Sequence, residues 1–226
     1  MIQITGTDDW RTAHPGAAIG LLEISGVNNR QPDQALNRRK HDTETHLRSV
    51  YSGYSRKDFL ALPVMAAYQH YYRRFDKTYH VLQQVESIVL KNKSLPEVSP
   101  LVDANFAAEV ETMVLTAGHD ASMLDEPVLI DVSRGNDQMT QLNGTTRTIR
   151  PGDMVMRDRN GICCSILYGQ DNRSPISPET EHILYVAYVP PEVPVEAVNA
   201  QLRLIDAYVG LFSPKVVIEQ CRLLFA

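Results

Sequence analysis

What this chain has least of narrows its class first. Only three cysteines occur among its 226 residues, at Cys163, Cys164 and Cys221. Two of them are adjacent, and neighbours on a strand point to opposite faces, so neither a disulfide framework nor a chelating pair is expected. They read as small apolar fillers of a protein kept in a reducing cytoplasm. No apolar run approaches the roughly 18 residues of a membrane-spanning helix, so no membrane partner is expected. Residues 1–10 carry Asp8 and Asp9 and no apolar core, which excludes a secretory leader from the expectation. Basic residues are outnumbered, 22 against 27 acidic, leaving a net charge of −5. That balance argues against a large nucleic-acid footprint and against DNA as a partner.

Catalytic signatures are missing too. There is no GxxxxGK[ST] phosphate loop, no GxGxxG after a strand and no GxSxG elbow. The seven histidines form neither HExxH nor HxH, so no metal ligand set and no cofactor are expected. His41 and His46 read as a solvated helix face, and His70, His80 and His182 as packing or edge residues.

What is present is an ordinary globular composition, 43% hydrophobic and 22% charged. No long polar linker divides it, so a single domain over residues 1–226 is expected. The positive charge is clustered rather than spread: Arg38, Arg39 and Lys40 stand together, as do Arg73, Arg74 and Lys77. A partner that needs only a local basic patch stays open.

Residues 17–27 form an apolar run bounded by glycines and predict a buried strand. Residues 31–50 are polar and predict an exposed helix; residues 56–75 continue helical, with Leu60, Val64 and Ala67 at helical spacing, and Leu82, Val85 and Val89 repeat it after a break near Lys77. Ser99-Pro100 reads as a helix start, with a capping hydroxyl ahead of the residue favoured at the first helical position. Asp103 then falls in the first turn, where the helix dipole favours an anion. Val102, Phe106, Val110 and Met113 make the expected buried stripe of that helix, which should end near Gly118.

Beyond Pro127 the period changes. Asn143-Gly144, Pro151-Gly152 and Asn160-Gly161 are turn signals between short strand-like runs at 128–132, 139–142, 154–156 and 162–167. A last strand is expected at 183–189, an amphipathic helix between Pro194 and Pro214, and a short helix at 215–224. Helices first, then antiparallel strands, then helix is an α+β order: an antiparallel sheet packed with helices.

Candidate chemistry is sparse. His119-Asp120, directly after Gly118, reads as a helix end opening a loop, where functional side chains often sit. The run from Tyr168 through Gln170, Asp171 and Arg173 to Ser174 is dense in hydrogen-bonding groups and reads either as a polar loop or as the wall of a pocket. Cys163 or Cys164 as a nucleophile would need a neighbouring base.

Several stretches, in order, suggest a family. They are YRRF at 72–75, LPEVSPLVDAN at 95–105, GTTRTIRPGDMV at 144–155, Asn160-Gly161 and, more faintly, SPETEHIL at 177–184. Together they resemble the B-three/B-four editing module of the phenylalanyl-tRNA synthetase beta chain, particularly its free-standing relatives, over roughly 17–189, with residues 195–226 left as a helical C-terminal extension. The resemblance implies an α+β fold and binding of the aminoacylated end of a tRNA, which in the synthetase serves to hydrolyse tyrosine attached to the wrong tRNA. Amino-acid activation is not implied. An ungapped match puts the family's editing histidine at Ala117, its asparagine at Phe106 beside Asn105, and its tyrosine-reading glutamate near Val186 and Ala187. The tyrosine specificity is therefore not carried over.

The resulting expectation is a tRNA-binding domain that deacylates a mischarged aminoacyl-tRNA in trans. His119 and Asn105 face the ester, Gln170 and Arg173 stand on the opposite wall, Tyr168 and Asp171 also bind the substrate, and Arg73, Arg74 and Lys77 meet phosphates. The alternative is a non-catalytic module binding RNA or an amino acid.

Overall fold

Three long stretches of the computed structural model, which describes residues 1–226, explain its layout. Two are apolar strands, and the third is a strand that the sequence reads as helix. The chain begins with β1 (Ile4–Gly6), α1 (Asp8–Ala13), β2 (Ala18–Ser25), α2 (Gln34–Val50), α3 (Arg56–Leu60), α4 (Pro63–Arg73) and α5 (His80–Val89). It continues through α6 (Pro100–Thr112), β3 (Thr116–Asp120), β4 (Val128–Val132), β5 (Gln138–Thr140), β6 (Thr146–Thr148) and β7 (Met154–Asp158). It finishes with β8 (Gly161–Ser165), β9 (Gly169–Gln170), β10 (His182–Val189), α7 (Val195–Phe212) and β11 (Val217–Phe225). No helix is long and apolar enough to cross a membrane.

The fold is α+β, with antiparallel sheets packed against helices. One sheet runs β11-β2-β10-β3, antiparallel throughout, a second runs β1-β4-β7-β8-β9, in which only β1 and β4 are parallel, and β5-β6 make a third, two-stranded sheet. β2 and β10 carry apolar side chains on both faces because both faces are covered, which is why their sequences show no alternation. Gly20 on β2 lets α7 approach: a Cβ there would stand 2.9 Å from Val198 Cγ1. One cluster of 55 buried apolar residues joins the strands to the helices.

The turns follow the sequence reading, but the strands between them do not form one continuous meander: β4 skips to β7, and β5 and β6 pair only with each other. Asn143-Gly144 closes the β5–β6 hairpin with Gly144 at φ 81°, and Asn160-Gly161 joins β7 to β8. Three expectations are corrected. Residues 56–75 form two helices rather than one, because Leu62 precedes Pro63 and takes the extended conformation (ψ 134°) that a following proline imposes. The helix begun at Pro100 stops at Thr112, well before Gly118, with Met113 left-handed at φ 63°. A left-handed cap usually announces itself with glycine, and Met113 gives no such signal. Residues 215–224 are not helical: 217–225 form β11, which pairs along β2 from Val217↔Ser25 to Phe225↔Ala18. The C-terminal extension is thus a helix and a strand.

The start of α6 also differs in detail. Ser99 holds the N-cap position without a capping bond from its hydroxyl. Asn29 takes that role from a distant loop, its Oδ1 accepting from Leu101 N at 2.9 Å. Asp103 accepts from Val98 N and pairs with buried Lys40 at 2.7 Å, so its charge is neutralised inside the protein.

Candidate functional site

Where α6 leaves the sheet, a cavity of about 530 Å³ opens between it, α5, β3 and the β8–β9 segment. Val102 and Phe106, expected in a buried stripe, are only half-buried because they face this cavity, whereas Val110 and Met113 are buried as expected. Ile166 and Ile176 continue the apolar lining. Gly118 lies in the wall, where a Cβ would stand 2.8 Å from Ile176 Cδ1 and 3.1 Å from the Tyr185 ring.

The polar groups of this wall come from α6. Asn105 and Glu109 stand four residues apart, hence on one helical face, and both hold Thr116 at the start of β3. Asn105 Nδ2 donates to Thr116 O at 2.8 Å, and Thr116 N donates to Glu109 Oε1 at 3.0 Å. Burial pushes the Glu109 carboxyl up to about 8, the Thr116 bond opposing it only in part. Asn105 Oδ1 and Gln84 Oε1 are buried without hydrogen-bonding partners, Tyr188 Oη has no partner but the neighbouring Cys164 thiol, a weak one, and all three residues line the cavity. Such orphaned groups are uncommon in a folded interior and mark a place where something else supplies the partner. Burial also holds the Tyr188 phenol well above its ordinary pKa, so it keeps its proton to donate.

The structure brings only some of the sequence candidates together. Asn105 and Gln170 line the cavity. His119 does not: it lies within β3 rather than at a helix end, is fully buried, and has Nδ1 2.8 Å from Ser174 Oγ and 3.2 Å from Gln170 Nε2. Burial drives its pKa down to about 3, so it is a neutral imidazole behind Gln170. Ala117, where the resemblance puts a histidine, does line the cavity.

Arg173 and Asp171 stand outside the lining. Arg173 is clamped between two carboxylates, Nη1 3.0 Å from Asp158 and Nε 2.7 Å from Asp171. Tyr168 sits at the rim, with Lys77 Nζ 4.5 Å and the Arg147 guanidinium 5.5 Å from its ring centroid. Desolvation first, then Arg150 and Arg147, lower the Lys77 pKa, so three cations crowd this edge. Gln141 ties the rim together, bonding Arg147 Nε at 3.0 Å and the Tyr168 carbonyl at 2.8 Å, one residue from cavity-lining Leu142. Arg73 and Arg74 are exposed at the end of α4, and Arg74 packs over the Tyr71 and Phe75 rings.

Glu109, Gln84 and Tyr188 escaped the sequence reading, and Arg147 and Arg150 entered it only as part of a family stretch, without a site role. The four-residue spacing of Asn105 and Glu109 was the one available signal. Cys163 and Cys164 are both buried, and burial raises both thiols, Cys164 to about 12, so neither forms a thiolate nucleophile. No group of three His, Cys, Asp or Glu side chains is placed to hold a metal ion.

A family model described as the B3/4 domain matches residues 66–215. Among solved structures, the chain is similar to an N-terminal fragment of the phenylalanyl-tRNA synthetase beta-subunit from Pyrococcus horikoshii, at 7% identity and a TM-score of 0.49. The similarity covers 97% of this chain and 54% of that one, so the chain spans about half the length of the fragment. No curated protein matches it.

Proposed function

The chain belongs to the B3/4 domain family, and on that footing we propose that it binds the aminoacylated 3′ end of a tRNA and hydrolyses a mischarged ester in trans. The observation that carries the reading is a cavity with orphaned polar groups beside a basic rim. The aminoacyl group enters the cavity, while Lys77, Arg147 and Arg150 meet the phosphates of the acceptor end. Arg73 and Arg74 extend that contact along α4.

The chemistry asks little of side chains, because an aminoacyl ester is already activated. Water adds to the ester carbonyl, the ribose oxygen leaves with a proton, and free amino acid and tRNA result. Positioning the water and the carbonyl supplies most of the acceleration. The Tyr188 phenol is the donor for the carbonyl oxygen as charge develops on it, and Asn105, whose free Oδ1 is an acceptor, holds the donor end of the aminoacyl group. Gln170 orients the opposite wall, with His119 holding Gln170 from behind.

A second reading, a binding module without hydrolysis, is favoured by one observation: His119, the candidate base of the sequence, is buried outside the cavity. Both are tested by one screen of the purified protein against total tRNA charged with each amino acid and with common misacylation pairs. Release above the buffer rate for one pair establishes deacylation. Binding without release establishes the second reading. Failure of charged and uncharged tRNA to bind at low salt removes the first reading and the RNA form of the second, leaving only an amino-acid-binding module.

A further inference from the structure

Glu109 differs from the other buried glutamates of this protein. Glu23 lies near the Met1 ammonium, Glu44 near Arg48 and Glu86 near Arg56, whereas no cationic group pairs with Glu109. Its carboxyl is held by the single bond from Thr116 N. Four residues away, the bond from Asn105 Nδ2 to Thr116 O fixes which end of the amide is which, so the orphaned Asn105 Oδ1 is an acceptor. Gln84 on α5 presents another unpartnered oxygen to the same cavity. The donors that fit such a corner belong to the ligand.

We propose that this corner is an ammonium pocket, holding a ligand's protonated amine among Glu109, Asn105 Oδ1 and Gln84 Oε1, with the ligand's hydrocarbon body against Val102, Phe106 and Ile176. The inference rests on the aminoacyl reading of the cavity and names the recognised group: the α-ammonium of an amino acid with an apolar side chain. Three acceptors match the three N–H donors of an ammonium. A phosphate or carboxylate would set acceptor against acceptor at Asn105 and Gln84, and a hydroxyl would satisfy one of those oxygens and leave the other unmet. Burying a paired charge is tolerable where burying a lone one is not, so the empty pocket keeps Glu109 as a neutral acid and an arriving ammonium restores the carboxylate. The tyrosines that face Glu109 from α4 and from the start of α5, Tyr68, Tyr72 and Tyr79, are all held as phenols by burial and offer it no charge.

The experiment needs no RNA. Binding of three amides to the full chain is measured by calorimetry: L-leucinamide, its N-acetyl derivative, and 4-methylpentanamide, which lacks the amine. L-Leucinamide is expected to bind about tenfold or more tighter than the other two, the scale of a hydrogen bond to a charged group. Glu109→Gln is expected to bring the three affinities together without lowering the melting temperature, since it removes only a buried acid. Equal binding of all three amides by the native chain, binding of none, or an unchanged preference in Glu109→Gln overturns the proposal. An amine preference in a chain that binds no tRNA would sink the tRNA reading and leave this one standing; tRNA binding without the preference does the reverse.

Discussion

Two polar regions of this protein look alike in composition and behave oppositely. Around Arg173 the charges are saturated: Asp158 and Asp171, both buried, share one guanidinium, and Ser174 caps Asp171. Around α6, in a helix that reads as mostly apolar, Asn105 and Glu109 each spend one end on Thr116 and leave the other toward the cavity. A polar group that has met its partners stabilises the fold, while one that has not is available to a ligand. The density of polar residues along the chain is thus a poor guide to the site, and unmet hydrogen bonds guide better only where they converge on a cavity, since Trp10, His14 and His119 also bury unmet nitrogens away from it.

The contrast is easiest to break at the clamp. Arg173→Ala strands two buried carboxylates and is expected to cost about 3 kcal/mol, read by urea unfolding. A loss well under that would mean that the clamp is not the structural element described here.

Glu109→Gln should act the other way. The folded-state pKa of Glu109 lies above its unfolded value, so its contribution is fully present at acid pH and is lost as pH rises toward and through about 8. The native chain should therefore fall behind the variant between pH 5 and pH 9, by a margin on the order of 4 kcal/mol, in melts across that range. Asp153, which burial raises to about 7, slopes the same way in both proteins and cancels from the difference.

Asn105→Ala sharpens the comparison. It loses one bond to Thr116 and should cost only about 1 kcal/mol of stability. Ligand affinity should suffer more than stability does, which calorimetry and unfolding on the same preparation will separate. The smallest effect on folding belongs to Lys77→Ala and Arg147→Ala, each within about 0.5 kcal/mol of the native chain. Their signature is in RNA binding, where each should lower the salt dependence by about one counterion.

The same contrast explains what the sequence made legible. Turn chemistry at Asn143-Gly144 and Asn160-Gly161 is local, so the two hairpins they close could be read directly. The end of α6 and the strand after α7 could not. Met113 takes a glycine's conformation without being glycine, and residues 217–225 become a strand because β2 offers them an open edge, a tertiary fact invisible in a window of ten residues. Asn105 was found because it belongs to a motif. Glu109 was missed because one acid within an apolar helix reads as its solvent face. His119 drew attention through the glycine before it, yet strand pairing with Leu184 turned it into the interior.

The pairing of β11 along β2 has a consequence for how the protein is made. Ribosomes deliver β2 near the start of synthesis and β11 near the end of the stretch described here, so one side of β2 waits unpaired while nearly two hundred residues are added. Contacts of such sequence separation are slow to close. Until they do, an apolar strand stands exposed to other nascent chains, and a chaperone that shields strand edges should raise the yield of soluble protein more than a faster rate of translation would.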